Sequence, residues 1–344
     1  MGKRFRELIK KIGGGPQSSR DLTRDEAAIA LELMTQGEAT PAQIGAFLIA
    51  HRMKRPTPEE LAGMLDAWEG LVTGIEPLTL PTRVMVMGSP YDGRARTAPI
   101  TPMVALVLAA AGQPVLLHGG DVMPPKMGMP LEQVWQAMGI YWRHLGSDRL
   151  RSLLESTGVG FWYAPTHAPR MTTLIPYREQ IGKRPPLATL ELMASPYAGA
   201  QCVVAGFVHP PTETLIRGAL ALRQVEAFVM VKGLEGSVDI PCHRPAIVLH
   251  GAPHSHQRLT LAAKEYGLQG AELTLSPVAT LPDLYRHDRE FRRAILWNAG
   301  CYLWLGGVCD DVSAGLEQAE AVWGGAIALW ERLQALTADR STTP

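Results

Sequence analysis

At Thr79 the hydrophobic pattern of this chain changes period, and that change limits what each of its two parts can fold into. Before it, apolar residues recur as Leu31 and Met34, then Ile44, Phe47 and Leu48, then Leu61, Leu65 and Trp68. Such spacing lines one face of a helix. The runs open on the same chemistry: Thr23-x-x-Glu26, Thr40-Pro41-x-Gln43 and Thr57-Pro58-x-Glu60. Each is a capping box. The threonine hydroxyl accepts from an orphan N–H, the Glu or Gln three residues on returns the bond, and proline at the first helical position gives up no hydrogen bond. Residues 1 to about 76 are therefore expected to form a small helical domain.

After Thr79, short β-rich runs alternate with helical ones, a pattern expected of an α/β fold with a mostly parallel central sheet flanked by helices. The predicted strands are Val84–Met87, Pro114–His118, Gly160–Ala164, Cys202–Val208, Glu226–Val231 and Ala246–His250. Helices are predicted from about Pro102 to Ala111 and near Leu131–Met138, Arg149–Thr157, Thr212–Leu222, Leu259–Tyr266, Asp288–Leu305 and Ala314–Leu336. The stretch Met171–Ala194, rich in Pro, Arg and Lys, fits neither class and is read as a crossover. The domain expectation is thus 1–76 plus about 173–196 for the helical part, and 79–172 plus 197–344 for the α/β part.

Charge leaves any attraction to a polyanion to local patches. Lys plus Arg and Asp plus Glu are both 33 in 344 residues, so no global field draws the chain to nucleic acid or an anionic membrane. The first 24 residues carry seven basic side chains against Glu7 and Asp21, a modest patch read as a solvated face. Cys202, Cys242, Cys301 and Cys309 form no C-x-x-C pair, which points to reduced thiols in a cytoplasmic protein. The most apolar run, Met103 to Leu117, is broken at Gly112-Gln-Pro114, too early for a membrane span. No signal peptide is read in the basic N-terminus. The cluster His250-Gly-Ala-Pro-His254-Ser-His256 is a weak metal signal, because it lacks a nearby Cys or carboxylate.

The candidate site is Gly88-Ser-Pro-Tyr-Asp-Gly93-Arg-Ala-Arg-Thr-Ala-Pro-Ile-Thr101, a glycine-flanked loop between a buried strand and an apolar helix. Backbone N–H groups at such a loop and at a helix N-terminus are an anion-binding frame. Proline at position 90 removes one donor, and Pro90 with Tyr91 restricts close backbone approach.

The motifs Leu22-Thr-Arg-Asp-Glu-Ala27, Gly37-Glu-Ala-Thr-Pro-Ala-Gln-Ile-Gly-Ala-Phe-Leu48 and Thr57-Pro-Glu-Glu-Leu-Ala62 resemble the N-terminal helical domain of anthranilate phosphoribosyltransferases. The resemblance runs on through Gly88, His118-Gly119 and Lys232-Gly-Leu-Glu-Gly236, in order, over most of the chain. It implies a homodimer formed through the helical domain and a cleft for phosphoribosyl pyrophosphate with Mg2+, with no organic cofactor. Pyrimidine nucleoside phosphorylases share this architecture.

The family's donor loop, G-T-G-G-D-G followed by N-I-S-T, matches Gly88-Ser89-Pro-Tyr-Asp92-Gly93 and Pro99-Ile-Thr101-Pro102. Its next motif, K-H-G-N-R-S-V-S-S-K-x-G, matches Leu117-His118-Gly119-Gly-Asp-Val-Met-Pro-Pro-Lys126-Met-Gly128. The resemblance therefore implies donor contacts at Gly88, Ser89, Asp92, Gly93, Thr101, His118, Gly119 and Lys126. It places a weakened magnesium site at Asp239 and Thr101, and the acceptor's carboxylate at Arg178. Asp121, standing where the family has an arginine, brings a charge of the wrong sign, worth roughly 4 kcal/mol at about 4 Å and an effective dielectric near 20.

Two functions fit this pattern. One is a diverged donor site that binds an anionic small molecule, with transfer weak or lost. The other is a non-catalytic protein that binds single-stranded nucleic acid without sequence preference, with Tyr91 stacking on a base and Arg94, Arg96, Lys126, Arg178, Lys183 and Arg184 on phosphates.

Overall fold

A computed structural model describes residues 2–15, 17–252 and 255–338. The helical part opens with α1 (Lys3–Ile12), α2 (Arg24–Thr35), α3 (Pro41–Lys54) and α4 (Pro58–Leu71). Thr23, Thr40 and Thr57 cap α2, α3 and α4, and in each box both reciprocal bonds form. The helices bury Leu31, Phe47, Leu61 and Leu65, each at most 1% exposed. Each such side chain contributes roughly 1.5–3 kcal/mol relative to exposure. Gly63 lets α4 approach α2, since a Cβ there would lie 1.9 Å from the Arg24 carbonyl oxygen.

The second part holds a seven-stranded sheet in the order β3-β2-β1-β4-β5-β6-β7. The strands are β1 (Val84–Met87), β2 (Val115–Gly119), β3 (Val159–Tyr163), β4 (Gln201–Gly206), β5 (Phe228–Val231), β6 (Ala246–Ala252) and β7 (Ser255–Leu261). Pairings from β3 through β5 are parallel, while β5–β6 and β6–β7 are antiparallel. The mostly parallel expectation holds. Chain order reverses direction beside β1, between β2 and β4, which places a crevice outside the carboxyl ends of the central strands. The helix α5 (Thr101–Ala110) is apolar all round because it is covered by the helices Arg289–Leu305 and Trp323–Thr337 as well as by the sheet.

Three expectations are corrected. Leu259–Tyr266 is not a helix: β7 extends to Leu261 and only Ala263–Tyr266 makes a 3-10 turn. Register with β6, from Ala246 opposite Leu261 to Ala252 opposite Ser255, overrides the local preference of these residues. The predicted helix Ala314–Leu336 is two helices, Val312–Ala321 and Trp323–Thr337, that meet at Val322. The stretch expected as a crossover contains the short helices Ile175–Ile181 and Leu187–Leu190. Of the histidine cluster, His254 lies outside the described residues; His250 and His256 sit in the β6–β7 hairpin.

Candidate functional site

The carboxyl end of β1 leads directly into the Gly88 loop. The Gly88 N–H donates to the Val204 carbonyl at 2.8 Å, and a Cβ at this position would sit 2.0 Å from the Leu192 carbonyl oxygen, so the close approach requires glycine. Ser89 Oγ donates to the His118 carbonyl at the end of β2 at 2.8 Å. A tight turn follows, closed by the Gly93 N–H on the Pro90 carbonyl at 2.8 Å, with Gly93 at φ +77°.

Tyr91 points inward. It is 7% exposed, and its hydroxyl is hydrogen-bonded to His118 Nδ1 at 2.8 Å. Burial lowers the His118 pKa to about 4, against a small opposing effect of the Ala194 backbone, so the ring is neutral at pH 7. This overturns the placement of Tyr91 as an exposed stacking face: the ring is buried edge-on against His118, with centroids 5.7 Å apart. Gly119 is packed against Phe161, whose Cζ would lie 3.2 Å from an added Cβ.

Arg94 also turns inward, contrary to the expectation that it lines a cleft for phosphates. Its side chain is 2% exposed. Nη1 donates to Asp239 Oδ2 at 2.6 Å and to Ser237 Oγ at 2.7 Å, and Nε donates to Thr97 Oγ1 at 3.1 Å. The Arg94 and Met129 backbones bridge in both directions, at 2.9 and 2.7 Å, and fix the origin of that side chain.

Next to it lies Glu235, in the turn after β5. Its carboxylate accepts from three consecutive backbone N–H groups, Ala95 at 3.1 Å, Arg96 at 2.9 Å and Thr97 at 2.9 Å. The Thr97 hydroxyl adds a bond at 2.9 Å and Lys126 Nζ an ion pair at 2.7 Å. Burial works to raise the Glu235 pKa, but Lys126 and the three amides outweigh it and hold the carboxyl well below its ordinary range. Glu235 itself has φ +54°, a backbone region that costs a side-chain-bearing residue of order 1 kcal/mol or more. Neither Glu235, Ser237 nor Thr97 was singled out as a site residue from the sequence. The available signal for Glu235 was its place between Gly233 and Gly236.

Asp239 and Thr101 come together as the resemblance implies, with Thr101 Oγ1 donating to Asp239 Oδ1 at 2.7 Å. The other oxygen of Asp239 is taken by Arg94. The residues present do not fit a divalent cation in this arrangement, because a guanidinium already holds the carboxylate that would bind it. Among the described residues no group of three or more His, Cys, Asp or Glu side chains is arranged to hold a metal.

Three further candidates, Lys126, Arg184 and Arg178, face carboxylates. Lys126 Nζ donates to the Gly93 carbonyl at 2.6 Å as well as facing Glu235. Arg184 Nη2 lies 3.2 Å from Asp92 Oδ1. Arg178, 4% exposed, is paired with Glu191, so its fork is not free for a ligand carboxylate. Burial raises the Glu191 pKa despite that partner. Arg96 is exposed and has no carboxylate partner among the described residues.

Three spaces adjoin these groups. Between Gly88–Pro90, Arg94, Thr101 and Ser237 the gap is about 10 Å³, the least that holds one water. An apolar pocket of about 50 Å³ is walled by Trp68, Tyr91, Trp162, Leu174, Arg178 and Glu191. An open cleft of about 440 Å³ is walled by Asp92, Arg96, Lys126, Arg184, Val208 and Glu235.

Comparison with known proteins agrees with this architecture. The model described as "Glycosyl transferase family, helical bundle domain" matches residues 6–68, and "Glycosyl transferase family, a/b domain" matches residues 92–327. The chain is 26% identical over 321 residues to the anthranilate phosphoribosyltransferase of Afipia carboxidovorans, covering 91% of this chain and 92% of the relative. It is 28% identical over 328 residues to that of Azorhizobium caulinodans, covering 93% and 92%. The solved anthranilate phosphoribosyltransferase of Thermus thermophilus superposes with a TM-score of 0.75 at 20% identity, covering 97% of this chain and 99% of that one. The Saccharomyces cerevisiae enzyme, solved in complex with PRPP and Mg, superposes at 0.82 with 16% identity, covering 97% of each chain. With both domains matched in order, the chain belongs to the glycosyl transferase family that joins a helical bundle domain to an a/b domain.

Proposed function

We propose that this chain is a ligand-binding member of its family whose donor site is filled by its own side chains. Pentosyl transfer from phosphoribosyl pyrophosphate is then weak or lost, and an anionic ligand is taken in the open cleft. The observation that carries this reading is the Glu235 carboxylate seated on the Ala95, Arg96 and Thr97 amides. Backbone N–H groups in series are what a diphosphate needs, and here an internal anion uses them. The gap of about 10 Å³ beside Gly88 supports the same conclusion, since no phosphoryl group fits it.

The open cleft favours an anion by a single charge. Arg96, Lys126 and Arg184 line it against Asp92 and Glu235, and of these cations Arg96 has no carboxylate partner among the described residues. Transfer chemistry of this type depends on positioning and on neutralising the leaving group, so amides and cations already engaged lower the rate more than they lower binding elsewhere.

Calorimetric titration tests the reading. Phosphoribosyl pyrophosphate with Mg2+ is expected to show no saturable binding below the millimolar range. Binding in that range that is lost in Asp92→Ala would sink the proposal and favour the family reaction. Citrate and inorganic phosphate serve as cleft probes, and their binding is expected to weaken in Arg96→Ala and with added salt.

A further inference from the structure

The shell around Arg94 has the composition of a hard-cation site with a guanidinium at its centre. Asp239 Oδ2 at 2.6 Å, Ser237 Oγ at 2.7 Å and Thr97 Oγ1 at 3.1 Å are its bonded oxygens, and Glu235 Oε1 lies 3.5 Å from Nε. The Thr101 hydroxyl holds the other oxygen of Asp239. Carboxylates and hydroxyls are the ligands that Mg2+ and Mn2+ take. Here they surround a residue of the chain.

Charge balance supports the assignment. Arg94 and Lys126 face Asp239 and Glu235, two cations against two anions, and the Arg94, Asp239 and Glu235 side chains are each at most 4% exposed. Two buried carboxylates this close are tolerated only with compensation, since each unpaired buried ion costs several kcal/mol. The bond partners of Arg94 also have partners of their own. Ser237 Oγ donates onward to the Leu234 carbonyl at 2.8 Å, and Thr97 Oγ1 to Glu235. The guanidinium thus completes a network with no vacant acceptor facing it.

We propose that Arg94 is the resident cation of this centre, a tethered guanidinium in the place of a divalent ion, and that it makes the centre independent of metal. A metal ion comes and goes with its concentration and with chelators. Arg94 does neither, because it is covalently part of the chain and its backbone is pinned to Met129. The proposal concerns the cation alone and stands whether or not the cleft takes an anion.

Mn2+ is the probe, followed by its electron paramagnetic resonance signal, with Mg2+ as competitor. The wild-type chain is expected to show no saturable Mn2+ binding below the millimolar range and the same urea midpoint in Mg2+ and in EDTA. Arg94→Ala leaves Asp239 and Glu235 around an emptied space, and is expected to bind Mn2+ at least about tenfold more tightly than wild type. Its urea midpoint should rise with Mn2+ or Mg2+, and Arg94→Ala with Asp239→Asn should lose both gains. If Arg94→Ala does not fold in buffer, refolding with Mn2+ is expected to restore its helical circular dichroism. Saturable Mn2+ binding by the wild type, or an Arg94→Ala protein that metal neither binds nor refolds, overturns the proposal.

Discussion

Glu60 in the helical domain and Glu235 beside the Gly88 loop are two buried carboxylates built on the same plan, with different consequences. Glu60 is 0% exposed and accepts from the Leu22 and Thr57 N–H groups, each at 2.8 Å, and from Lys54 Nζ at 2.9 Å, with His51 Nε2 at 3.3 Å. Glu235 likewise combines backbone N–H groups with one lysine. Yet Glu60 lies in a regular helix, as the return arm of a capping box, while Glu235 holds a positive φ and faces an open cleft. A carboxylate closing a local motif is scaffold. One that gathers amides from 138 to 140 residues away, under backbone strain, is held by the tertiary fold and not by a local motif.

The sharpest way to break that comparison is to remove the cation beside Glu235. Arg94→Ala leaves a buried charge uncompensated and is expected to lower unfolding free energy by about 3–5 kcal/mol in urea titrations. A loss under about 1 kcal/mol would mean that the centre is solvated and not internally closed.

Acid titration separates the two carboxylates. Burial works to raise the Glu60 pKa, but bonds from His51, Leu22 and Lys54 bring it down to about 2. A folded value below the ordinary 4.5 means a stabilisation that is present above pH 4.5 and lost as pH falls towards 2. The shift corresponds to about 3 kcal/mol, and Glu60→Gln should flatten the stability–pH curve in that window by this amount. The acid sensitivity left in Glu60→Gln should extend further down, because Glu235 is held lower still.

Glu235→Gln keeps the shape but not the charge. It is expected to cost about 1–3 kcal/mol, as backbone donors and Lys126 lose a charged acceptor. If the comparison is right, amide exchange at Ala95, Arg96 and Thr97 accelerates in this variant and that at Leu22 and Thr57 does not. The smallest effect belongs to the cap itself: Thr57→Ala should cost about 1 kcal/mol by thermal unfolding and leave the Glu235 centre untouched.

The helical domain was legible because its information is local. Thr23, Thr40 and Thr57 each specify a helix start through bonds to a residue three positions on, and all three boxes are present. The strands of the parallel sheet were legible for a similar reason, as short apolar runs, and β1 falls at Val84–Met87 as expected. The β7 strand was not, because its partner β6, and not its own composition, sets its conformation.

The site divides in the same way. The loop and its resemblance pointed to Asp239 and Thr101, whose oxygens lie 2.7 Å apart, but not to Glu235, Ser237 or Thr97 beside them. The direction in which Arg94 points could not be read there either. Cation on a cleft wall and cation in a core are the same letter in a sequence. The choice between them depends on Ser237 and Asp239, more than 140 positions away, being brought within 3 Å of the guanidinium. Sequence alone therefore determined the family, through the motifs it resembles, and the two-part architecture, through short-range hydrophobic spacing and capping boxes. Only the tertiary structure decided that Arg94 and Glu235 turn inward and pair, because that outcome depends on desolvated distances between charges far apart in the chain.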